Sequence, residues 1–262
     1  MIERPHAGRV AIVTGANGGL GVEIARRLAT DGADLVLGDL NGSNLETYAQ
    51  KWQADYGVRV CHAIGDLSQQ SGALALIDTA VQAFGRVDIL INNAGGGLIR
   101  PFLSHTVATL EETLRRNLWT ALLCTHAVLP HMVKAHYGRV VNIGADSVRN
   151  GLPSHAGYNA AKGGVHGLTT GLAREFAPNG ITVNTIAPGG VLTPEIRTML
   201  DPASEAYSKH VIQNINELVG MIPKGRFAEM DEVASAVSFF ASEEARFITG
   251  QVISVNGGCT ML

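Results

Sequence analysis

Val10-Ala11-Ile12-Val13-Thr14-Gly15-Ala16-Asn17-Gly18-Gly19-Leu20-Gly21 joins an apolar run, a glycine cluster and the first turn of a helical pattern without a break. A continuous apolar run suits a strand buried on both faces. Glycines let the backbone turn tightly and approach a ligand closely, while the helix that follows offers free N–H groups and a partial positive charge. Strand, turn and helix in this order predict a seat for a dinucleotide pyrophosphate at the edge of a parallel sheet.

The same alternation continues along the chain. Further short apolar runs lie at Asp34–Gly38, Val58–Ile64, Ile89–Asn92, Arg139–Ile143, Ile181–Ile186 and Val252–Val255. Amphipathic stretches fall between them at Leu20–Thr30, Asn44–Tyr56, Gln69–Phe84, Leu110–Ala135, Tyr158–Phe176 and Met230–Ala241. With Val10–Thr14 this predicts an α/β fold, a single-domain Rossmann-type, doubly wound parallel sheet of about seven strands with helices on both faces. No linker or repeat divides residues 1–262. Only Leu192–Pro223 interrupts the rhythm: Pro194, Pro202 and Pro223 and its mixed polarity make it a poor strand–helix unit, and predict an irregular insertion serving as a substrate lid.

Composition narrows the function classes. A formal charge of −3 gives no basic field for nucleic acid or an anionic membrane surface, so neither partner is expected. No apolar run approaches the roughly 20 residues needed to span a bilayer, and Met1–Arg9 carries no apolar signal segment. Cys61, Cys124 and Cys259 fall in no disulfide or metal-ligand spacing, which fits a reducing, cytoplasmic setting with no metal site.

The second apolar run ends in Gly38-Asp39-Leu40, with Asp39 eighteen residues beyond Gly21. A carboxylate there accepts hydrogen bonds from both hydroxyls of an adenosine ribose and repels a 2′-phosphate. Neither the glycine loop at Asn17 nor the positions after Asp39, Leu40 and Asn41, hold an Arg or Lys. NAD is therefore expected over NADP.

The spacing T-G-x-x-x-G-x-G resembles the fingerprint of the short-chain dehydrogenase/reductase family, and other motifs of that family follow in order. They are Asp66-Leu67, Asn92-Asn93-Ala94-Gly95, Tyr158-x-x-x-Lys162, Pro188-Gly189 with Val191 and Thr193, and Val255-Asn256-Gly257-Gly258. The resemblance runs from about Gly8 to Gly258. It implies an NAD-dependent alcohol dehydrogenase or ketoreductase whose cofactor meets Gly15, Asn17, Gly18, Leu20, Gly21, Asp39, Leu40, Asp66, Leu67, Asn93, Ala94, Gly95, Tyr158, Lys162, Pro188, Gly189, Val191 and Thr193.

Tyr158 and Lys162 stand one turn apart on a helical pattern, hence on one face. A free phenol has a pKa of about 10, and a neighbouring ammonium is expected to lower it toward a useful acid–base range. Tyr158 can then take a proton from a substrate alcohol as hydride leaves, or return it in the reverse direction. The resemblance adds Asn117, as the holder of a water that relays protons toward Lys162.

One position departs from the family pattern. Its substrate-orienting serine stands thirteen residues before the tyrosine, where this chain has Ala145. Removing such a donor typically costs about 10²–10³ in rate. Three readings stay open: Ser147 substitutes, a Ser→Ala change was introduced deliberately, or the protein binds NAD without catalysis.

Within the family, Gly95-Gly96-Gly97, Arg115–Trp119 and His126–Met132 resemble dehydrogenases of benzoate-type cis-dihydrodiol carboxylates, while 3-oxoacyl-thioester reductases share many of these residues. An anionic substrate needs a cation, for which Arg149, His155 and Arg197 are candidates. Similar proteins associate through the helices matching Leu110–Ala135 and Tyr158–Phe176, so a homotetramer or dimer is expected.

Overall fold

A computed structural model describes residues 4–261; Met1–Glu3, part of the N-terminal stretch read above, and Leu262 lie outside it. Chain order is β1 (Val10–Thr14), α1 (Gly19–Thr30), β2 (Asp34–Asp39), α2 (Leu45–Tyr56), β3 (Val60–Ile64), α3 (Gln70–Phe84) and β4 (Ile89–Asn92). Then come α4 (Val107–Leu114), a wide π turn (Arg115–Trp119), α5 (Thr120–Ala135), β5 (Gly138–Ile143), the short α6 (Ser147–Asn150), α7 (Ala156–Phe176) and β6 (Ile181–Pro188). The chain finishes through α8 (Pro194–Leu200), α9 (Lys209–Gly220), α10 (Met230–Ala241) and β7 (Val252–Val255).

The strands form one parallel sheet in the order β3-β2-β1-β4-β5-β6-β7. Period-two alternation along β1 explains its two buried faces. Ala11 and Val13 pack with Ile24 and Leu28 of α1, Trp52 of α2 and Val237 of α10. Val10 and Ile12 face the other way, toward Leu76 and Ile77 of α3, Val128 and Met132 of α5 and Ala173 of α7. Helices therefore cover both faces, as the apolar strands require.

The sequence places a poor strand–helix unit at residues 192–223, and the structure corrects this. Two of the three prolines mark boundaries: Pro194 opens α8, where its missing N–H costs nothing, and Pro223 follows α9. Ile215, Ile222 and Phe227 form a small separate cluster with Leu192, Ile196 and Val211. The segment thus owes its packing mainly to itself.

Because β1 pairs with both β2 and β4, the chain reverses its direction of travel across the sheet between them. The carboxyl ends of β1 and β4 diverge there and leave a crevice, the place where open α/β sheets bind ligands.

Candidate active site

The crevice is a cleft of about 860 Å³. Its floor is built by local backbone chemistry. Gly15 turns at φ +65°, and a Cβ on Gly21 would lie 2.0 Å from the Gly15 carbonyl, so only glycine permits helix α1 to start so close to β1. No side chain caps the N-terminus of α1, and Gly18, Gly19, Leu20 and Gly21 line the cleft beside its free N–H groups.

Thr14 fastens the two strand ends. Its hydroxyl donates to the Ile91 carbonyl (3.1 Å) and accepts from the backbone N–H groups of Asn93 and Ala94 (3.0 and 2.9 Å). The Asn93 amide donates to the carbonyls of Thr14 and Gly15 (3.0 and 3.1 Å), stapling the glycine loop to β4. Asn17 braces the loop from the other side. Its side-chain Oδ1 accepts from Asn44 N–H (2.9 Å), and its backbone N–H donates to the Asp39 carboxylate (2.9 Å).

Tyr158 and Lys162 line the inner end of the cleft with Ile143 and Gly95. Lys162 is buried, donates to the Ile143 carbonyl (2.8 Å), and holds its Nζ 5.9 Å from the Tyr158 ring centre. Burial pushes the lysine down to about 8 and the phenol up to about 12. The lowered phenol expected from the sequence is therefore not met in the protein alone: at this separation the loss of hydration outweighs the pull of the ammonium.

Asn117 sits in the π turn and is buried. Its oxygen accepts from Gly96 N–H (3.2 Å) and its nitrogen donates to the carbonyls of Gly96 and Thr113 (both 2.9 Å). The residue clamps the backbone after β4. A Cβ on Gly95 would meet Asn117 Oδ1 at 2.6 Å and Lys162 Nζ at 3.4 Å, so both side chains converge on that glycine.

Of the other residues singled out in the sequence, Asp39, Leu40, Asp66, Leu67, Ala94 and Thr193 also line the cleft, whereas Asn17, Pro188, Gly189 and Val191 do not. Gly189 N–H instead bonds the Val255 carbonyl (3.0 Å), and Val191 bridges to Ala228. Ala145 is buried. Ser147 cannot donate to a substrate while its hydroxyl donates to Asn159 Oδ1 (2.6 Å). Arg149 does not line the cleft; it donates to Ser254 Oγ (2.8 Å) and the Val252 carbonyl (2.6 Å) on β7. Arg197 is paired with Glu229. His155 stays near the centre, its ring edge-on to Tyr158 at 6.2 Å.

Sequence reasoning missed Ser68, Glu112, Arg115, Arg116, Thr120 and Glu195 among the lining residues. Arg115 reaches Asp66 (3.1 Å), and both Arg115 and Arg116 pair with Glu112. The three- and four-residue spacing of Glu112 to these arginines was a readable signal of helix pairing.

Comparison with known proteins fits this arrangement. The model of short chain dehydrogenases matches residues 9–203. The chain belongs to the short-chain dehydrogenase family. It is 51% identical over 258 residues to a 2,3-dihydroxy-2,3-dihydro-p-cumate dehydrogenase of Pseudomonas putida, covering 98% of this chain and 96% of that protein. A 1,6-dihydroxycyclohexa-2,4-diene-1-carboxylate dehydrogenase of Acinetobacter baylyi is 35% identical over 255 residues, 95% of each chain. The crystal structure of levodione reductase superimposes with a TM-score of 0.88 at 31% identity, covering 97% of this chain and 98% of that one. As a short-chain dehydrogenase this protein is an oxidoreductase, and the family's hydride carrier is a nicotinamide dinucleotide. The uncapped α1 terminus and the side-chain-free surface at Gly18 and Gly19 fit such a group. Among the described residues no helix is long and apolar enough to cross a membrane, and no cluster of ligands suits a metal.

Proposed function

We propose that this short-chain dehydrogenase oxidises a cis-diol on a carboxylated six-membered ring, with NAD as hydride acceptor and Tyr158 as acid–base residue. The 51% identity to a dihydrodiol dehydrogenase over 98% of the chain carries the choice of substrate class. The 35% identical relative, whose substrate is likewise a dihydroxycyclohexadiene carboxylate, supports it. NAD is favoured over NADP by Asp39, whose carboxylate lines the cleft and accepts from the N–H groups of Asn17 (2.9 Å) and Asn41 (3.1 Å). A 2′-phosphate there would face a carboxylate that, among the described residues, forms no ion pair with a cation.

When bound, the oxidised nicotinamide would supply the hydride acceptor. Tyr158 takes the hydroxyl proton of the carbon that is oxidised. Lys162, anchored on Ile143, stabilises the resulting phenolate. Asn117 fixes Gly96, next to the glycine on which Asn117 and Lys162 converge. The segment at residues 192–223 contributes Thr193 and Glu195 to the outer wall as a lid.

With Ser147 committed to Asn159, His155 takes over the orienting role that Ala145 lacks. Its Nδ1 lies 2.8 Å from the Pro153 carbonyl, which can only accept, so Nδ1 carries the proton and Nε2 is an acceptor in the neutral ring. The second hydroxyl of a cis-diol can donate to it. His155→Ala is expected to lower kcat/KM for diols about tenfold, the worth of one hydrogen bond, while leaving a cyclic mono-alcohol unaffected. Equal losses on both substrates would remove His155 from this role.

The decisive experiment is NADH formation from 2,3-dihydroxy-2,3-dihydro-p-cumate and 1,6-dihydroxycyclohexa-2,4-diene-1-carboxylate, run with NAD and with NADP. Turnover with a preference for NAD is expected. Absence of turnover with either ring, or a preference for NADP, would overturn the corresponding half of the proposal.

A further inference from the structure

Residues 97–105 run from the glycine turn after β4 along the start of α7 and the loop before it, meeting the helix twice and the loop once. A Cβ on Gly97 would lie 3.4 Å from the Tyr158 ring. Arg100 N–H donates to the Ser154 carbonyl (3.2 Å), and the missing Cβ of Gly157 would lie 3.6 Å from His105 Nε2. Arg100, in the middle of this segment, is thus held by its backbone at Ser154, four residues before Tyr158, next to the residues that line the cleft but not itself one of them. It is half-buried, and among the described residues no carboxylate lies within ion-pair distance of its guanidinium.

Among the described residues, the other cations named at the site are engaged. Arg149 is held by β7, Arg197 by Glu229, Arg115 and Arg116 by Glu112, and Lys162 by the Ile143 carbonyl. Glu195 adds a negative charge on the lid side of the cleft, so an anionic substrate gains nothing from that wall. Ile99, 46% exposed, and Phe102, 57% exposed, flank Arg100 and offer apolar surface to a hydrocarbon ring.

We infer that Arg100 is a specificity-determining residue of this enzyme, recognising the carboxylate of the substrate ring. A guanidinium can bind a carboxylate through two parallel N–H bonds, which fixes the orientation of the ring as well as its charge. A partly desolvated guanidinium without a partner is costly to keep, and a carboxylated ligand relieves that cost. The inference rests on the carboxylated-ring reading above.

A binding measurement separates the two. Oxidation of a 2,3-dihydrodiol carboxylate yields a 2,3-dihydroxybenzoate once the ring regains aromaticity, so 2,3-dihydroxybenzoate and catechol form a product pair differing in the carboxylate alone. The protein saturated with NADH is titrated with each by calorimetry. Wild type is expected to prefer the carboxylated ligand by roughly 10- to 100-fold. Arg100→Ala erases the preference and leaves catechol affinity unchanged, and Arg100→Lys restores part of it. Matching thermal melting of the variants keeps a folding defect from imitating the result. A preference that survives in Arg100→Ala, or a wild type that binds the two alike or binds neither, overturns the inference. A wild type that binds 2,3-dihydroxybenzoate through Arg100 but oxidises no dihydrodiol overturns the proposed reaction and leaves Arg100 in its role.

Discussion

Tyr158→Phe is expected to lower kcat by about 10²–10⁴-fold, the range of a well-placed acid–base group, while NAD affinity and fold are retained. The substitution removes one oxygen from a ring whose remaining atoms keep their packing against His155 and the Gly97 backbone. No hydrogen bond within the described residues is broken, because the phenol hydroxyl makes none there, so stability is expected to change by less than about 1 kcal/mol. Titration of both proteins with NAD and stopped-flow measurement of NADH formation check the two halves together. If the variant turns over at the wild-type rate, Tyr158 is not the acid–base residue. If wild type and variant are equally silent but bind NAD tightly, the chain is a cofactor-binding protein that has lost its chemistry.

The phenol's own surroundings sharpen that expectation. Burial holds it at about 12 in the protein without its cofactor, so at neutral pH it is a proton donor. Oxidation needs the opposite, a phenolate or a phenol about to become one. The required lowering must come from positive charge close to the ring, where this chain holds the Lys162 ammonium, 5.9 Å from the ring centre; a bound oxidised nicotinamide would add its own positive charge to the site.

Much of this architecture was legible in the sequence, and for a physical reason. Strands buried on both faces must be apolar throughout, so β1, β4 and β5 stood out, and the glycine cluster between strand and helix left little freedom in where the crevice opens. Ends were less certain: β3 begins at Val60 rather than Val58, and β6 runs on to Pro188. The π turn that holds Asn117 broke what reads as one helical stretch from Leu110 to Ala135, because its cause is the clamp on Gly96, a contact 21 residues away. The anchoring of Arg149 on β7 was hidden for the same kind of reason. Its partners Val252 and Ser254 lie more than 100 residues later, and nothing local announces them. Arg100 was overlooked for the converse reason, since the sequence gives no sign that its loop returns to the Tyr158 helix.

Lys162→Met should abolish most activity yet leave the protein as stable as wild type at neutral pH, with a difference that depends on pH in a defined direction. The lysine is held down to about 8 by burial, against 10.5 for an unburied lysine. Between those values the unfolded chain binds more protons than the folded one, so this residue makes wild-type stability rise with pH across that window. Below about 8 the burial cost of the ammonium is present in full, and above 10.5 it is gone. A shift from 10.5 to about 8 corresponds to a change of about 3 kcal/mol. Methionine has no such charge, and the loss of a donor to the Ile143 carbonyl costs about 1–3 kcal/mol at every pH. The two effects offset each other near pH 7, and wild type should gain on the variant by about 3 kcal/mol as pH climbs from 8 to 10.5. Urea melts of both proteins at several pH values in that range measure the difference, in which the titration of all other groups cancels. A constant difference would mean that Lys162 keeps an ordinary pKa, and then the ammonium beside Tyr158 would be hydrated and far weaker as an electrostatic partner for the phenolate.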